Sequence, residues 1–172
     1  RMPRGLALAV LLSVALLAAG CGFHMQGAAA LPQGVSSVYV TAPDRLSPFM
    51  VQLGQALERA GAQRAPSARE ADAVIRVQTD RTGRRVRSVA ARNTPKEFEI
   101  FYVVEYSIER GGSEALPVQR IELTRNFTFD QSLLLAKNRE EEILREAIAR
   151  DLAEQALRRL GSLPPGPGGR AR

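Results

Sequence analysis

Histidine and cysteine, on which much enzyme and metal chemistry depends, are almost absent from this chain. Each occurs once in 172 residues, as His24 and Cys21. A lone cysteine cannot form an internal disulfide bond. One histidine and one cysteine are also too few for a histidine-rich metal site. The sequence therefore excludes a disulfide scaffold and makes a metalloenzyme a poor interpretation.

Phosphate-binding and nucleophile motifs are absent too. The chain has no Walker motif, no glycine-rich phosphate loop and no Gly-x-Ser-x-Gly sequence. A run of three carboxylates, 140–142, invites an acid–base or metal interpretation. Acidic residues in the first turn of a helix explain such a run without further assumptions, because the helix dipole favours anions there. We therefore expect a binding or assembly protein and not an enzyme.

Charge of one sign does not dominate the folded part. The chain has 24 basic and 18 acidic residues, a net charge of +6. Two arginines precede residue 5 and two more end the chain, so the remainder carries only +2. This near balance argues against a nucleic-acid partner. Positive charge is concentrated in one stretch without acidic residues, which contains Arg81, Arg84, Arg85, Arg87 and Arg92.

The N-terminal segment has the pattern of an export signal that ends at a lipidated cysteine. Arginines and an apolar stretch from Leu6 to Leu17 precede the small residues 18–20 and Cys21. The stretch is shorter than the roughly 20 residues of a membrane-spanning helix. The segment resembles a bacterial lipobox, with Ala18 where Leu is usual. We predict a signal peptide over 1–20 and covalent diacylglycerol and N-acyl lipid on Cys21, with no other cofactor. The alternative is an ordinary signal peptide that contains a cysteine.

Lipidation would remove Cys21 from other chemistry and fix the location of the protein. A blocked cysteine excludes a catalytic Cys/His pair. Acyl chains give stable membrane anchoring when more than one is present. Gly22 occupies the position where lipoproteins retained in the inner membrane often carry Asp. We therefore expect an outer-membrane, lipid-anchored protein that faces the periplasm.

Composition divides the mature chain into three parts. Residues 21–34 are small and polar and predict a lipidated tether. Residues 35–161 contain the periodic apolar patterns, and about 130 residues suffice for one domain with one core. Residues 162–172 are almost wholly Pro, Gly, Ala and Arg, so we predict a disordered tail.

Apolar periodicity within 35–161 predicts the order strand, helix, strand, strand, strand, helix. Alternation marks strands near 35–41 and 73–78, and a long antiparallel pair over 98–108 and 121–129 joined at Gly111-Gly112. Ser47 and Pro48 predict the start of the first helix. Thr82-Gly83 indicates a turn, and Asn138 a cap for the last helix. We predict a two-layer α/β sandwich, with about four strands in a mixed sheet and two amphipathic helices on one face.

Several segments together resemble the LPS-assembly lipoprotein LptE family, also called RlpB. The sequence from Cys21 to Gly27 is similar to the family's Cys-Gly-aromatic-His-Leu-Arg opening. Arg92-Asn93, before the long strand, resembles the family's Arg-Asn loop. The segment 127–130 is similar to its aromatic strand end before an Asp, and 135–138 to its Leu-Ala-Lys-Asp turn into the final helix. The order of elements also matches.

The resemblance implies a function. Members of that family sit in the outer membrane as partners of the large β-barrel LptD, occupy much of the barrel lumen, help the barrel assemble and bind lipopolysaccharide during its delivery to the cell surface. The family's fold is a small sheet backed by two helices.

Candidate binding residues come from this resemblance and from charge. By match to the family, Arg92 and Lys137 are expected to contact lipopolysaccharide, whose phosphates suit arginine and lysine. Charge clustering alone adds Arg84, Arg85 and Arg87. The alternative for each of the five is a solvated surface cation.

Two other functions remain open at this point. The chain could be a lipid-anchored adaptor of another envelope complex, which composition does not distinguish from an LptD partner. It could also be an envelope hydrolase, but the absence of a catalytic histidine, a nucleophile motif and a metal cluster argues against this. The identity of the partner would separate these possibilities.

Overall fold

A five-stranded mixed sheet carries two helices on one face in the computed structural model, which describes residues 30–89, 95–128 and 134–164. The elements in chain order are β1 (Ser37–Thr41), α1 (Pro48–Arg59), β2 (Gln63–Arg64), β3 (Ala73–Val89), β4 (Pro95–Arg110), β5 (Ser113–Thr128) and α2 (Leu134–Gly161). The two-layer α/β prediction is confirmed. Cys21 and Arg92, the signal segment 1–20 and the tail beyond 164 lie outside the described residues.

The strand order of the sheet is β2-β1-β3-β4-β5. Strand β1 pairs in parallel with β2 and β3, and β3, β4 and β5 are antiparallel. The predicted hairpin between β4 and β5 is present and turns at two glycines with positive φ. The fifth strand, β2, is a difference from the prediction. It has only two residues, both exposed, so it is too short to show an alternating pattern.

Helix α1 begins where the sequence predicts. The hydroxyl of Ser47 caps it by accepting a hydrogen bond from the Met50 N–H at 3.2 Å, and Pro48 follows at the first helical position. Phe49 and Leu53 are fully buried. Gly61, with φ of 86°, follows its end. Helix α1 therefore follows β1 in the chain and packs against the sheet to which β1 belongs.

Strand β3 is continuous through the residues that predict a turn. Thr82 and Gly83 pair with Tyr102 and Phe101 of β4, so the predicted turn is wrong. Instead, the missing side chain of Gly83 allows the Phe101 ring to lie close to the backbone of β3. A Cβ atom at Gly83 would lie 2.8 Å from Cζ of Phe101. A glycine inside a strand often marks such a contact.

Helix α2 begins four residues before the predicted cap. It starts at Leu134, so Asn138 lies within the helix and the carboxylates at 140–142 are beyond its first turn. The dipole explanation for these carboxylates is therefore wrong. Each of them instead forms an ion pair with a nearby arginine or lysine. Ile148, Leu152 and Leu160 are fully buried, as the apolar stripe predicts. No helix in the described ranges is long and apolar enough to cross a bilayer.

One hydrogen-bond network ties α1 to the middle of the sheet. The Tyr102 hydroxyl donates to Oδ1 of Asp80 at 2.8 Å and accepts from the Phe49 N–H at 3.1 Å. The Ser47 hydroxyl donates to Oδ2 of the same aspartate. Burial raises the pKa of Tyr102, and the hydrogen bond to Asp80 adds to that shift. The start of α1 is thus fixed to β3 and β4 by hydrogen bonds between buried and half-buried polar groups.

Both ends of the described chain meet at one end of the sheet. Arg110, the last residue of β4, is 6% exposed. Its guanidinium donates to the backbone oxygen of Gln33 at 2.9 Å and to that of Pro164. Leu31 and Leu163, which are close to Gln33 and Pro164 in the sequence, pack against the core. The chain thus enters and leaves the fold at the end of β4 that carries the Gly111-Gly112 turn.

Candidate functional site

A cleft lies at the other end of the long strands. It has a volume of about 440 Å³ and is lined by Arg87 of β3, Glu97 of β4, the residues 126–128 of β5, and Lys137 and Glu140 of α2. Strand β4 has 16 residues. Glu97 and Arg110 are thirteen residues apart in β4, so at ~3.4 Å per residue the cleft and Arg110 are about 44 Å apart along the strand. Four elements therefore converge at the end of the sheet opposite Gln33 and Pro164, where the described chain begins and ends.

Lys137 is the most enclosed cation of the cleft. Its side chain is 19% exposed, and its Nζ donates to Oε2 of Glu140 at 2.7 Å. Arg87 lies on the facing strand with 59% of its side chain exposed, and its Nη1 is 3.9 Å from Glu99. That distance is beyond hydrogen bonding. In the cleft, Lys137 is thus hydrogen-bonded to its counter-ion, whereas Arg87 has a carboxylate nearby but no hydrogen bond to it.

Arg84 lies on the face of the sheet that α2 covers. Its guanidinium carbon is 5.1 Å from the centre of the Phe98 ring, and its Nη1 donates to Oε2 of Glu141 at 3.2 Å. Glu141 also accepts from Arg145 at 2.6 Å. Cation–π contact and two ion pairs hold these groups together. Arg84 therefore joins β3 to α2.

Arg85 lies on the opposite, uncovered face. It donates to Glu122 of β5 at 2.8 Å and is 3.5 Å from Glu99 of β4. Its guanidinium stacks over Phe101 at 4.5 Å, and that of Arg81 lies 6.0 Å from the same ring. A hydrogen bond from Arg120 holds the pKa of Glu122 below its usual range. This face is a ladder of paired charges around one aromatic ring.

The five predicted cations are therefore not one site. Lys137 and Arg87 share the cleft, Arg84 is half-exposed on the face that carries α2, and Arg85 is on the uncovered face. Arg92 lies outside the described residues, although the segment that contains it joins two strands that border the cleft. Whether any of the five contacts a ligand stays a prediction.

Sequence reasoning missed the polar partners in the cleft. Glu97, Asn126 and Thr128 lie at strand ends, and only the register of β3, β4 and β5 brings them together. Glu140 carried a usable signal. It follows Lys137 by three residues, the spacing at which helix side chains pair.

Exposed apolar side chains accompany the cations at this end. Val86 and Val89, in the last residues of β3, are 52% and 54% exposed, and Leu135 at the start of α2 is 85% exposed. Phe127, which lines the cleft, stacks on Phe98 with ring centres 5.7 Å apart. Cations beside apolar surface suit an amphiphile with phosphate groups and hydrocarbon chains.

The described ranges do not offer a metal centre. Within them, no three histidine, cysteine, aspartate or glutamate side chains are grouped so as to hold a metal ion. The cleft has donors for anions and carboxylates that already accept from neighbours. Such an arrangement can bind and exchange charged groups.

Comparison with known proteins identifies a family that matches this chain. The family model described as LptE, lipopolysaccharide-assembly, matches residues 35–160. That range contains all the strands of the described residues and nearly all of α1 and α2.

Two curated proteins and one solved structure agree with this match. The LPS-assembly lipoprotein LptE of Pectobacterium atrosepticum is 23% identical over 146 residues, 84% of this chain and 79% of that protein. The protein of the same name in Yersinia enterocolitica is 24% identical over 155 residues, 89% and 74% of the two chains. The solution structure of an uncharacterized lipoprotein B from Nitrosomonas europaea superposes with a TM-score of 0.69 at 28% identity, covering 82% of this chain and 91% of that one. This chain therefore belongs to the LptE family of lipopolysaccharide-assembly proteins.

Proposed function

We propose that this protein is anchored in the outer membrane through lipid on Cys21, that it partners an LptD-type β-barrel and supports its assembly, and that it binds lipopolysaccharide at the cleft during delivery to the cell surface. The match of residues 35–160 to the LptE family carries this proposal. The names of the two curated relatives, both LPS-assembly lipoproteins, support it.

The chemistry of the cleft supports lipopolysaccharide as the ligand. Lipopolysaccharide presents phosphates, for which arginine offers paired donors and lysine a compact charge. Lys137 and Arg87 line the cleft, and Arg92 lies in the segment between two of its strands. The exposed Val86, Val89 and Leu135 add apolar surface for hydrocarbon.

The position of the anchor supports a defined orientation. Cys21 precedes Gln33 by twelve residues, and Gln33 is held by Arg110 at the end of the sheet opposite the cleft. Twelve residues span at most about 40 Å, so lipid on Cys21 would keep this end of the sheet within that distance of the membrane. This limit favours an orientation in which the cleft is farther from the anchored leaflet than Gln33 is.

The uncovered sheet face supports a barrel partner. Its charges are paired across strands, with Arg120 donating to Glu122 at 2.6 Å and lying 3.4 Å from Glu105. The ring of Phe101, under the guanidinium of Arg85, adds an apolar contact between these pairs. The lumen of an outer-membrane barrel is polar, so a paired, near-neutral surface suits it.

Co-purification tests the partnership. The tagged protein is purified from detergent-solubilised envelopes, together with a Cys21→Ser variant that cannot be lipidated. We expect a large outer-membrane β-barrel in the wild-type preparation and less of it with the variant.

Two results would contradict the partnership with the barrel. One is the protein recovered alone, with normal surface lipopolysaccharide after its depletion. The other is a different envelope complex as the partner, which would make the chain an adaptor of that complex. An unmodified Cys21 in the mass spectrum of the mature N-terminus would contradict the anchor.

A further inference from the structure

We infer that Glu140 competes with the anionic ligand for Lys137, so that this carboxylate limits the affinity of the cleft for phosphorylated lipid and makes the complex easier to dissociate. The inference rests on the proposed binding of lipopolysaccharide. It assigns a role to an acidic residue of a site otherwise described by its cations.

The geometry places the carboxylate where a phosphate must go. Oε2 of Glu140 is 2.7 Å from Nζ of Lys137, and both residues line the cleft. Two acceptors on one tetrahedral ammonium group lie about 4.6 Å apart, given hydrogen bonds of ~2.8 Å. A phosphate on Lys137 would therefore either displace Glu140 or sit beside its negative charge.

Enclosure of Lys137 makes this competition stronger than at an open surface. Only 19% of the Lys137 side chain is exposed, so few other directions of approach to Nζ remain. Glu140 is 44% exposed and can turn into solvent when it is displaced. Exposed ion pairs change an equilibrium constant by a factor of about 1.5 to 5. Repulsion between Glu140 and the bound phosphate adds to that factor.

The other cation of the cleft is not restrained in the same way. Arg87 is 3.9 Å from Glu99, and Glu97 accepts instead from the Ser88 hydroxyl at 2.8 Å. Arg87 can therefore turn toward a ligand without breaking a hydrogen bond to Glu99. Of these two cations, Lys137 is the one that must give up a hydrogen bond, to Glu140, when a phosphate binds. The loss of that hydrogen bond lowers the affinity.

Helix α2 supplies a matched control for Glu140. Glu142 accepts from Arg139 at 2.6 Å, with the same three-residue spacing on the same helix. Those two side chains are 56% and 70% exposed and do not line the cleft. Changing either glutamate to glutamine alters the net charge equally, so a general attraction for anions would respond alike to both changes.

The experiment measures equilibrium binding of fluorescently labelled lipopolysaccharide, with intact lipid A phosphates, to the mature lipidated protein in detergent. The variants are Glu140→Gln, Glu142→Gln, Lys137→Gln and the double variant Lys137→Gln with Glu140→Gln. We expect Glu140→Gln to tighten binding roughly threefold to tenfold and Glu142→Gln to change it less than twofold. The gain should disappear in the Lys137→Gln background and with dephosphorylated lipopolysaccharide.

Each contrary outcome has a distinct meaning. Equal effects of Glu140→Gln and Glu142→Gln would overturn the inference, because the gain would then reflect net charge alone. Weaker binding by Glu140→Gln would also overturn it, since the carboxylate would then position Lys137 for the ligand. Absence of saturable binding by the wild-type protein would instead overturn the proposed binding function.

Discussion

Two tyrosines of β4 should respond in opposite directions when their hydroxyl groups are removed. Tyr102 and Tyr106 are both fully buried and point to the same face of the sheet. The Tyr102 hydroxyl donates to Asp80 at 2.8 Å and accepts from the Phe49 N–H at 3.1 Å. The Tyr106 hydroxyl has no hydrogen-bond partner within the described part of the chain.

The magnitudes follow from this difference. Tyr102→Phe leaves a buried N–H without an acceptor and a carboxylate with one donor fewer. Each unsatisfied buried group costs about 1–3 kcal/mol, so we expect a loss of about 2–4 kcal/mol in the free energy of unfolding. Tyr106→Phe removes a hydroxyl that burial had already separated from water. Its effect should lie between zero and a gain of about 1 kcal/mol.

Urea unfolding followed by circular dichroism measures both changes. A lipid-free form that begins at residue 21 and carries Cys21→Ser avoids detergent. Both substitutions are tyrosine to phenylalanine in one strand, so differences in volume and strand propensity cancel. Equal destabilisation by the two variants would refute the reasoning that the Asp80 network fixes α1 to the sheet.

Two further predictions concern single residues. The N–H groups of Ser36 and Ser37 donate to Oδ2 of Asp72 and lower the pKa of Asp72 from 3.8 to about 2. Because the pKa of Asp72 is lower in the folded than in the unfolded protein, the ionised carboxylate stabilises the fold at pH values above its unfolded-state pKa. This stabilisation is lost as the pH falls through about 2. Asp72→Asn should therefore destabilise at pH 7 by about 1–2 kcal/mol in urea unfolding; a deficit that does not shrink between pH 4 and pH 2 would contradict this. Gly83→Ala should lower the free energy of unfolding by about 1–3 kcal/mol because the new Cβ meets Phe101, and Phe101→Ala in the same chain should remove that cost. An equal loss in both backgrounds would show that the ring is not the cause.

The fold was largely predictable because its signals are local. Ser47 and Pro48 are sufficient to start α1, and strict alternation over 98–108 is sufficient to define most of β4. Membership in a lipopolysaccharide-assembly family confirms the expectation of a non-enzymatic protein. The turn predicted at Gly83 failed because a glycine that permits a turn also permits a close aromatic contact, and only the partner strand decides between them.

The candidate site was predictable only in part, because pairing between distant residues determines it. The sequence shows that Arg84, Arg85 and Arg87 are close in the chain. Alternation along a strand places Arg84 and Arg85 on opposite faces. The sequence does not show that the helix covers the face of Arg84, nor that Glu141 and Glu122 lie within 3.2 Å of Arg84 and Arg85. Lys137 was identified by resemblance to the family, and its partner Glu140 by the structure.

The most direct test of the account is the affinity for lipopolysaccharide of a variant with both family-matched cations reversed. Arg92→Glu with Lys137→Glu is compared with Arg139→Glu with Arg158→Glu, whose targets are 70% and 58% exposed on α2 and outside the cleft. Both pairs change the net charge equally. The account predicts at least a tenfold loss of affinity for the first pair, about 1.4 kcal/mol, and a change below twofold for the second. Unchanged affinity in the first pair would contradict the claim that lipopolysaccharide binds at this cleft.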